Sequence, residues 1–293
     1  MGKIKVLSLV IVLSMVFGWG ASVLMVFSED FWYELELTKT PELFTADMTE
    51  EFINQQVENL KIDRGKRISL QNANINTRVA ISVEINKKGK EKVLFSLNSQ
   101  DRVPMASISK LMTALVVFDN YDLNISTQKL INAMLIESNN NAADSLAGLI
   151  DYDDFINSMN DYAEKIGLEN TYFVNPTGLE PDDPEKVKNY STAEDLVKLA
   201  KYILKNQPKI FEITADRKFA YMSTNKLLTK YPEIIGGKTG YSPAAGECLL
   251  IVLENPGTGT RFINIVLGAR DRFLEMTKII NALNSPTNPP LGG

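Results

Sequence analysis

Two residues three positions apart can perform nucleophilic chemistry near the start of a helical run. The segment MASISKLMTAL contains Ser107 and Lys110, and residues at positions i and i+3 of a helix share one face. A neutral lysine amine in that position can accept the serine proton, and the helix N-terminus favours negative charge developing on the serine oxygen. Because Ser and Lys are common, one S-x-x-K pattern is expected by chance, so the pair alone does not decide function.

A second polar group follows at Ser138, Asn139 and Asn140. At a helix junction, a hydroxyl and a carboxamide two residues apart can both reach into a cleft. Ser138 could then relay a proton while the amide of Asn140 holds a substrate backbone. The same residues also suit a helix cap, and taken alone that structural interpretation is the better one.

A third group, Lys238-Thr239-Gly240, follows Gly236 and Gly237. Its ammonium and hydroxyl suit a carboxylate, and its glycines permit close approach of a ligand to the backbone. A glycine-rich turn that leads into the next strand explains this motif alone equally well.

Composition limits the chemistry that is available to these motifs. The 293-residue chain contains no histidine and one cysteine, Cys248, which excludes Ser-His-Asp catalysis, Cys-His catalysis and an internal disulfide. We expect no metal and no organic cofactor, and we interpret Cys248 in the apolar run CLLIVLE as a buried strand residue. The net charge of −5 and the lack of a basic stripe argue against nucleic acid as a partner.

The elements that must position these motifs predict an α+β fold. Two pairs of strand-like runs indicate β-hairpins, VAISVEI with KVLFSLN and CLLIVLE with RFINIVLG. Helical runs lie between the hairpins, and one of them opens with a capping box of Ser191 and Glu194. A further helix, DRFLEMTKIINAL, follows the second hairpin. We expect the hairpins to pair in one antiparallel sheet with the helices packed against it.

The N-terminus predicts membrane attachment. Lys3 and Lys5 precede an uncharged segment from Val6 to Ser28 that is long enough to span a bilayer as a helix. Gly18 and Gly20 offer a signal-peptide cleavage site, but the apolar run continues past them, so we favour an uncleaved anchor. The two lysines keep the N-terminus in the cytoplasm and place the rest of the chain outside.

The predicted organisation has four parts. Residues 1–28 form the transmembrane anchor, or else a signal peptide, and residues 29–77 form a stalk or spacer. Residues 78–284 form the domain that carries the three motifs, and residues 285–293 form a disordered tail rich in Pro and Gly.

The three motifs in this order resemble a known family. S-x-x-K, S-D-N and K-T-G are typical of penicillin-binding proteins and class A β-lactamases, and here Ser138 follows Ser107 by 31 residues. The segments MASISKLMTAL, MLIESNNNAADSLA, FVNPTGLE, NYSTAEDLVKLA and GGKTGYSPAAGECLL resemble the serine D-alanyl-D-alanine carboxypeptidases, the low-molecular-mass penicillin-binding proteins. The resemblance runs from about Arg78 to Leu283.

The resemblance implies a fold of the β-lactamase and penicillin-binding-protein type, with an all-helical subdomain beside the sheet. It also implies that Ser107 attacks the bond between the two D-alanines that end a peptidoglycan stem peptide. Lys110 would be the base and Ser138 would pass a proton to the leaving amine. β-Lactam antibiotics would acylate the same serine and so act as inhibitors.

The remaining roles implied by the resemblance concern substrate binding. Asn140 would orient the peptide, and Lys238 and Thr239 would bind its terminal carboxylate next to Gly240. Lys238 would also lower the pKa of the catalytic lysine by like-charge repulsion. The amide of Tyr241 would form an oxyanion hole together with that of the nucleophile.

Three features depart from the family pattern. Asn139 is bulkier than the usual Gly or Ala and has the size to crowd the cleft. The segment between Ser107 and Ser138 is short and lacks a β-rich insertion. The chain ends soon after its last helix, so we expect neither the C-terminal β domain nor the C-terminal membrane helix of many members.

Other functions remain open on the sequence alone. A β-lactamase of this fold needs a Glu between the second and third motifs, and Glu180 is the available residue, although its surroundings do not match that loop. A D,D-endopeptidase would carry the same motifs. A non-catalytic wall-binding membrane protein is the alternative from another class, and the complete set of polar residues argues against it.

Overall fold

The computed structural model describes residue 70 and residues 73–284, except for positions 122, 182, 184 and 185. The predicted anchor, most of the predicted stalk and the predicted tail lie outside the described residues. Within these described positions, no helix is both long enough and apolar enough to cross a membrane.

The two predicted hairpins meet in a single sheet, as expected. Among the described residues, five strands form an antiparallel sheet: β1 (Val79–Ile85), β2 (Glu91–Leu97), β5 (Ile234–Ser242), β6 (Gly246–Glu254) and β7 (Arg261–Ala269). Their order in the sheet is β2-β1-β7-β6-β5. A short separate ribbon pairs β3 (Val103–Pro104) with β4 (Tyr190–Ser191). β1 of the first hairpin pairs with β7 of the second, so that Val83 lies opposite Ile263.

The third motif lies within a strand and not in a turn. Lys238, Thr239 and Gly240 belong to β5, where Lys238 pairs with Leu250 of β6. A run with three glycines in nine residues has low β-propensity, so pairing and packing decide this strand. A Cβ at Gly237 would lie 2.6 Å from the carbonyl oxygen of Leu250. Glycine at position 237 therefore allows a close approach between β5 and β6.

Helices cover both faces of the sheet. They are α1 (Lys110–Asn120), α2 (Ile125–Ile136), α3 (Asn140–Ala147), α4 (Tyr152–Ile166), α5 (Ala193–Asn206), α6 (Lys209–Thr214) and α7 (Arg272–Leu283), with 3₁₀ turns at Ala106–Ser109 and Arg217–Phe219. Alternate residues of β1 divide between two apolar clusters: Val79 and Ile81 face the cluster that contains α1 to α6, and Ala80 faces the cluster that contains α7. This arrangement confirms the α+β fold.

The ends of two helices test the local predictions. Gly167 ends α4 with φ 79°, as its position predicted. The predicted capping box at Ser191 and Glu194 is wrong by one residue, because Thr192 is the N-cap of α5 and accepts the Asp195 N–H. Ser191 is instead engaged in the β4 ribbon.

The domain includes residues from the end of the predicted stalk. Leu70 is buried within the α7 cluster. The Asn76 N–H donates to buried Glu275 at 2.7 Å, and the Thr77 hydroxyl donates to the Leu267 carbonyl at 2.7 Å. All described residues lie in the compact unit Arg67–Gly293, so the folded domain begins before Arg78. Cys248 is fully buried in β6, as predicted.

The turn that carries the predicted nucleophile packs against the NPTG loop, which is formed by residues 175–178 in a distant part of the chain. Ala106 has φ 47°, an unfavourable value for a residue with a Cβ. Gly178 has φ 80°, and a Cβ there would overlap the Ala106 carbonyl and lie 3.0 Å from the Ser107 nitrogen. Only glycine permits this contact.

Side chains hold this loop against α1. The Thr113 hydroxyl donates to the Pro176 carbonyl at 2.6 Å, and Asn189 donates to the Ser109 hydroxyl at 2.9 Å. Asn175 accepts the Gly178 N–H at 2.7 Å, which closes the loop on itself. The loop and the nucleophile turn therefore form one packed unit.

We predict that Gly178→Ala destabilises the domain more than Gly89→Ala does. Gly89 is a matched control, since its φ is 76° and nothing lies within 4 Å of an added Cβ. Both changes carry the left-handed strain of about 1–2 kcal/mol, and only Gly178→Ala adds an overlap that costs about 1–3 kcal/mol more. Urea unfolding followed by circular dichroism measures the difference, and equal losses would contradict this account.

Candidate active site

Each of the two predicted site lysines is hydrogen-bonded to a serine of the predicted motifs. Lys110 at the start of α1 contacts Ser107, in the preceding 3₁₀ turn, at 2.9 Å. Lys238 of β5 contacts Ser138, between α2 and α3, at 2.7 Å. Residues separated by 100 positions in sequence are thus in direct contact, as the predicted site requires.

The Lys110 amine lies among three oxygen atoms. It is 2.9 Å from Ser107 Oγ, 2.7 Å from Asn140 Oδ1 and 2.6 Å from the Thr177 carbonyl oxygen. The amide and carbonyl oxygens can only accept, so each takes one N–H of the amine. In the neutral amine the lone pair is left for Ser107, whose hydroxyl can donate its proton to the nitrogen.

Burial favours this neutral form of the lysine. The Lys110 side chain is fully buried, and desolvation lowers its pKa from 10.5 to about 7, while the charge of Asp144 acts in the opposite direction. Lys110 can therefore act as a base near neutral pH. Burial, and not the predicted like-charge effect of Lys238, is the main cause of this lowering.

The second pair shows the like-charge effect instead. Burial first, then the charges of Lys110 and Arg272, hold the pKa of Lys238 well below its usual value. Lys238 donates to Ser138 Oγ at 2.7 Å and to the Thr239 carbonyl at 3.2 Å. The two buried amines thus disfavour simultaneous protonation.

The turn between α2 and α3 separates the roles of its three polar residues. Ser138 has φ 62°, an unusual left-handed value for serine. Asn139 is the N-cap of α3 and accepts the Ala142 N–H at 2.9 Å, so its side chain is engaged in the cap. Asn140 follows and contacts Lys110. The bulk of Asn139 therefore serves the helix start, in place of the crowding expected from the sequence.

The outer edge of β5 faces the nucleophile. A Cβ at Gly240 would lie 2.9 Å from the Met105 carbonyl oxygen and 3.1 Å from the Ser107 nitrogen. The Gly237 N–H points away from β6, because it donates to the Thr214 hydroxyl at 3.0 Å. Since amide directions alternate along a strand, the Tyr241 N–H points to the same outer edge. The Ser107 and Tyr241 amides can therefore serve one oxyanion.

Three further residues contact the site and were not predicted from the sequence. Thr224 Oγ1 lies 2.5 Å from Thr239 Oγ1, and the Thr224 N–H donates to the Ile136 carbonyl at 3.1 Å, two residues before Ser138. Arg272 at the start of α7 donates to the Gly240 carbonyl at 2.7 Å. Thr177 supplies the carbonyl that orients the Lys110 amine. Only the NPTG turn gave a signal for Thr177, and nothing in the sequence pattern marked the other two.

Two further expectations concern the rim of the site. Glu180, the residue weighed for a β-lactamase, accepts the Ala244 N–H at 2.8 Å and so joins the NPTG loop to the β5–β6 turn. Between Ser107 and Ser138 the described residues form helices and short connections without a strand. The cleft wall beside α1 and α2 therefore lacks the β-rich insertion, as the sequence indicated.

The chain is similar to curated proteins over more than half of its length. The chain is 29% identical over 234 residues to the D-alanyl-D-alanine carboxypeptidase DacF of Bacillus subtilis. This match covers 65% of this chain and 58% of that protein. It is 34% identical over 213 residues to the D-alanyl-D-alanine endopeptidase of Escherichia coli, in a match that covers 59% of this chain and 65% of that protein. The matches to the first curated relatives thus span less than two thirds of those proteins.

A solved structure has the same fold. Penicillin-binding protein D2 from Listeria monocytogenes, in its cefotaxime-bound form, matches with a TM-score of 0.61 and 28% identity. The match covers 71% of this chain and 96% of that chain. A fold of the penicillin-binding-protein type is therefore established for this domain.

A family profile described as D-alanyl-D-alanine carboxypeptidase matches residues 120–271, slightly more than half of the chain. The matched region contains Ser138, Asn140 and the third motif, and it begins after Ser107 and Lys110. With the fold and the two lysine–serine pairs, this match shows that the chain belongs to the D-alanyl-D-alanine carboxypeptidase family.

Proposed function

We propose that this protein is a serine-type D-alanyl-D-alanine carboxypeptidase that removes the terminal D-alanine from peptidoglycan stem peptides. The observation that carries the proposal is the contact between Ser107 and a buried Lys110 whose pKa is lowered to about 7. Such an amine can activate a serine in a chain without histidine. Membership of the family supports the choice of substrate.

Acylation begins when the Ser107 hydroxyl gives its proton to Lys110 and its oxygen attacks the carbonyl carbon of the penultimate D-alanine. Negative charge develops on the carbonyl oxygen, where the amides of Ser107 and Tyr241 stabilise it. Ser138 gives its proton to the leaving amine and takes up the proton that Lys110 accepted from Ser107, so that the C–N bond breaks and Lys110 returns to its neutral form. Free D-alanine departs and an ester remains on Ser107.

Deacylation regenerates the enzyme by the same groups. Water takes the place of the departed D-alanine, loses a proton to the neutral Lys110 amine and attacks the ester carbonyl. The C–O bond to Ser107 breaks, and the serine oxygen takes the proton back from Lys110, which is neutral again. Because one base serves both half-reactions, the same amine must be neutral at each start.

The terminal carboxylate of the substrate would bind beside Lys238 and Thr239 of β5. Lys238 offers an ammonium and Thr239 a hydroxyl, which Thr224 holds by a hydrogen bond. A bound carboxylate would raise the pKa of Lys238, because an opposite charge favours the protonated amine. Substrate binding thus favours the protonated form of Lys238, which is the form that binds a carboxylate.

A β-lactam antibiotic presents a carboxylate and a reactive amide to the same groups. We propose that such compounds acylate Ser107 and inhibit the enzyme, and the cefotaxime-bound form of the Listeria protein supports this. A stable acyl-enzyme on Ser107 is the expected product. Rapid turnover of a chromogenic cephalosporin would instead indicate a β-lactamase.

A D,D-endopeptidase activity is the second candidate. The relative with 34% identity is an endopeptidase by name, and its match covers 59% of this chain. An endopeptidase cuts a cross-link, in which the leaving amine belongs to another peptide. Release of monomers from a cross-linked dimer, compared with release of D-alanine from a stem peptide, distinguishes the two activities.

We further propose that residues 1–28 attach the protein to the cell membrane with the domain on the outer or periplasmic side. The uncharged segment after Lys3 and Lys5 supports this topology. The substrate lies on that side of the membrane, so the location agrees with the proposed activity.

We predict that Ser107→Ala lowers D-alanine release from a D-Ala-D-Ala peptide by at least about 10³-fold, because the acyl-enzyme cannot form. Ser126→Ala is the matched control, since Ser126 is exposed on α2. Mass spectrometry after labelled penicillin should map the adduct to the peptide that contains Ser107. Full release by Ser107→Ala would overturn the assignment of the nucleophile.

We predict that kcat/KM for D-alanine release rises with pH and levels off, with a midpoint near 7, since protonated Lys110 cannot accept the serine proton. The charge of Asp144 raises the pKa of Lys110, so Asp144→Asn should move this midpoint to lower pH. Asp161→Asn, on the exposed side of α4, is the control. A midpoint that stays in place or rises in Asp144→Asn would contradict this electrostatic account.

A further inference from the structure

Glu180 forms a clasp at one end of the candidate site. Its carboxylate accepts the Ala244 N–H at 2.8 Å, across 64 positions of sequence. Gly178, two residues before Glu180, contacts the nucleophile turn, and Ala244 follows Tyr241 by three residues. The clasp therefore lies just beyond the predicted oxyanion donors, on the side away from Lys238.

The site fixes the direction in which a substrate would run along β5. The leaving residue carries its carboxylate toward Lys238 and Thr239, and the scissile carbonyl lies at the Tyr241 amide. The peptide thus runs antiparallel to β5, with its N-terminal part directed toward Ser242 and Ala244. An extended peptide advances about 3.3 Å per residue, so the residue before the D-alanine pair arrives next to the clasp.

We infer that Glu180 is a specificity residue that binds a side-chain amino group on the residue preceding D-Ala-D-Ala. This inference rests on the proposed function and names a feature of its substrate. The site would therefore prefer stem peptides with a diamino acid at that position, while the amine remains free and not acylated.

The chemistry of the clasp suits an ammonium group. A carboxylate has about four lone-pair positions, and the Ala244 N–H occupies one of them, which leaves acceptors for an amine. The hydrogen bond also fixes the carboxylate in place, so little ordering is needed on binding. Leu179 and Tyr241, next to the clasp in sequence, are 51% and 61% exposed and offer apolar surface to the stem of a long amine.

The nearby Glu247 is not an equivalent candidate. Its carboxylate accepts the Arg272 N–H at 2.8 Å and so caps the start of α7. Glu180 instead joins two loops at the rim of the site and remains partly exposed. The position, and not the mere presence of a carboxylate, distinguishes Glu180.

Two peptides test the inference in the full-length protein. Nα-acetyl-L-lysyl-D-Ala-D-Ala has a free ε-amine, and Nα,Nε-diacetyl-L-lysyl-D-Ala-D-Ala has none. The measured quantity is the ratio of kcat/KM for the first peptide to that for the second. We expect the native ratio to exceed that of Glu180→Gln by about two- to fivefold, the range for a partly exposed ion pair. The Gln retains an oxygen for the Ala244 N–H, so the clasp can persist.

Glu169→Gln, an exposed carboxylate on the loop after α4, is the control and should keep the native ratio. An unchanged ratio in Glu180→Gln, whether or not both rates fall together, would overturn the inference and leave Glu180 as a structural clasp. If the native protein releases D-alanine from neither peptide, the proposed function itself fails. The two failures are therefore distinct.

Discussion

The Lys110 amine contacts three oxygens, and only Ser107 among them has a proton to give. This hydrogen-bond arrangement is the constraint on which the rest of the site depends. Asn140 and Thr177 take the two N–H groups, so the lone pair has one direction left. Complete burial lowers the pKa of the amine to about 7, so that a large fraction of it is neutral at neutral pH. A base is thus obtained from a lysine in a chain that contains no histidine.

The surrounding fold holds this arrangement through close backbone contacts. Gly178 brings the NPTG loop against Ala106, and Gly240 brings β5 against the nucleophile turn. These contacts place the Thr177 carbonyl at Lys110 and the edge of β5 at Ser107. Two buried lysines are expensive to desolvate, and their hydrogen bonds offset only part of that cost. The stability of the two hairpins and of the cores on both faces of the sheet must cover the remainder, as is usual for functional sites.

The sequence predicted the chemical groups of the site better than the elements that hold them. The order and spacing of the motifs predicted Ser107, Lys110, Ser138 and Lys238 as site residues, and the structure brings each lysine into contact with one of the serines. The strand β5 was not predicted, since its glycines disfavour a strand unless a neighbour pairs with it. Thr224 and Arg272 were missed because their partners, Thr239 and Gly240, lie 15 and 32 positions away. The capping box was misplaced by one residue because the Ser191 hydroxyl is hydrogen-bonded to the Thr171 hydroxyl, and Thr192 is the N-cap in its place.

The most direct measurement of the central claim is the protonation of Lys110 itself. Lysine labelled with ¹³C at Cε can be followed by NMR across the pH range, and the Lys110 signal is the one that disappears in Lys110→Met. The account predicts a midpoint near 7, with the amine neutral above it. A Lys110 signal that titrates close to the ordinary value of 10.5 would contradict the account, because a cationic amine has no lone pair for the serine proton.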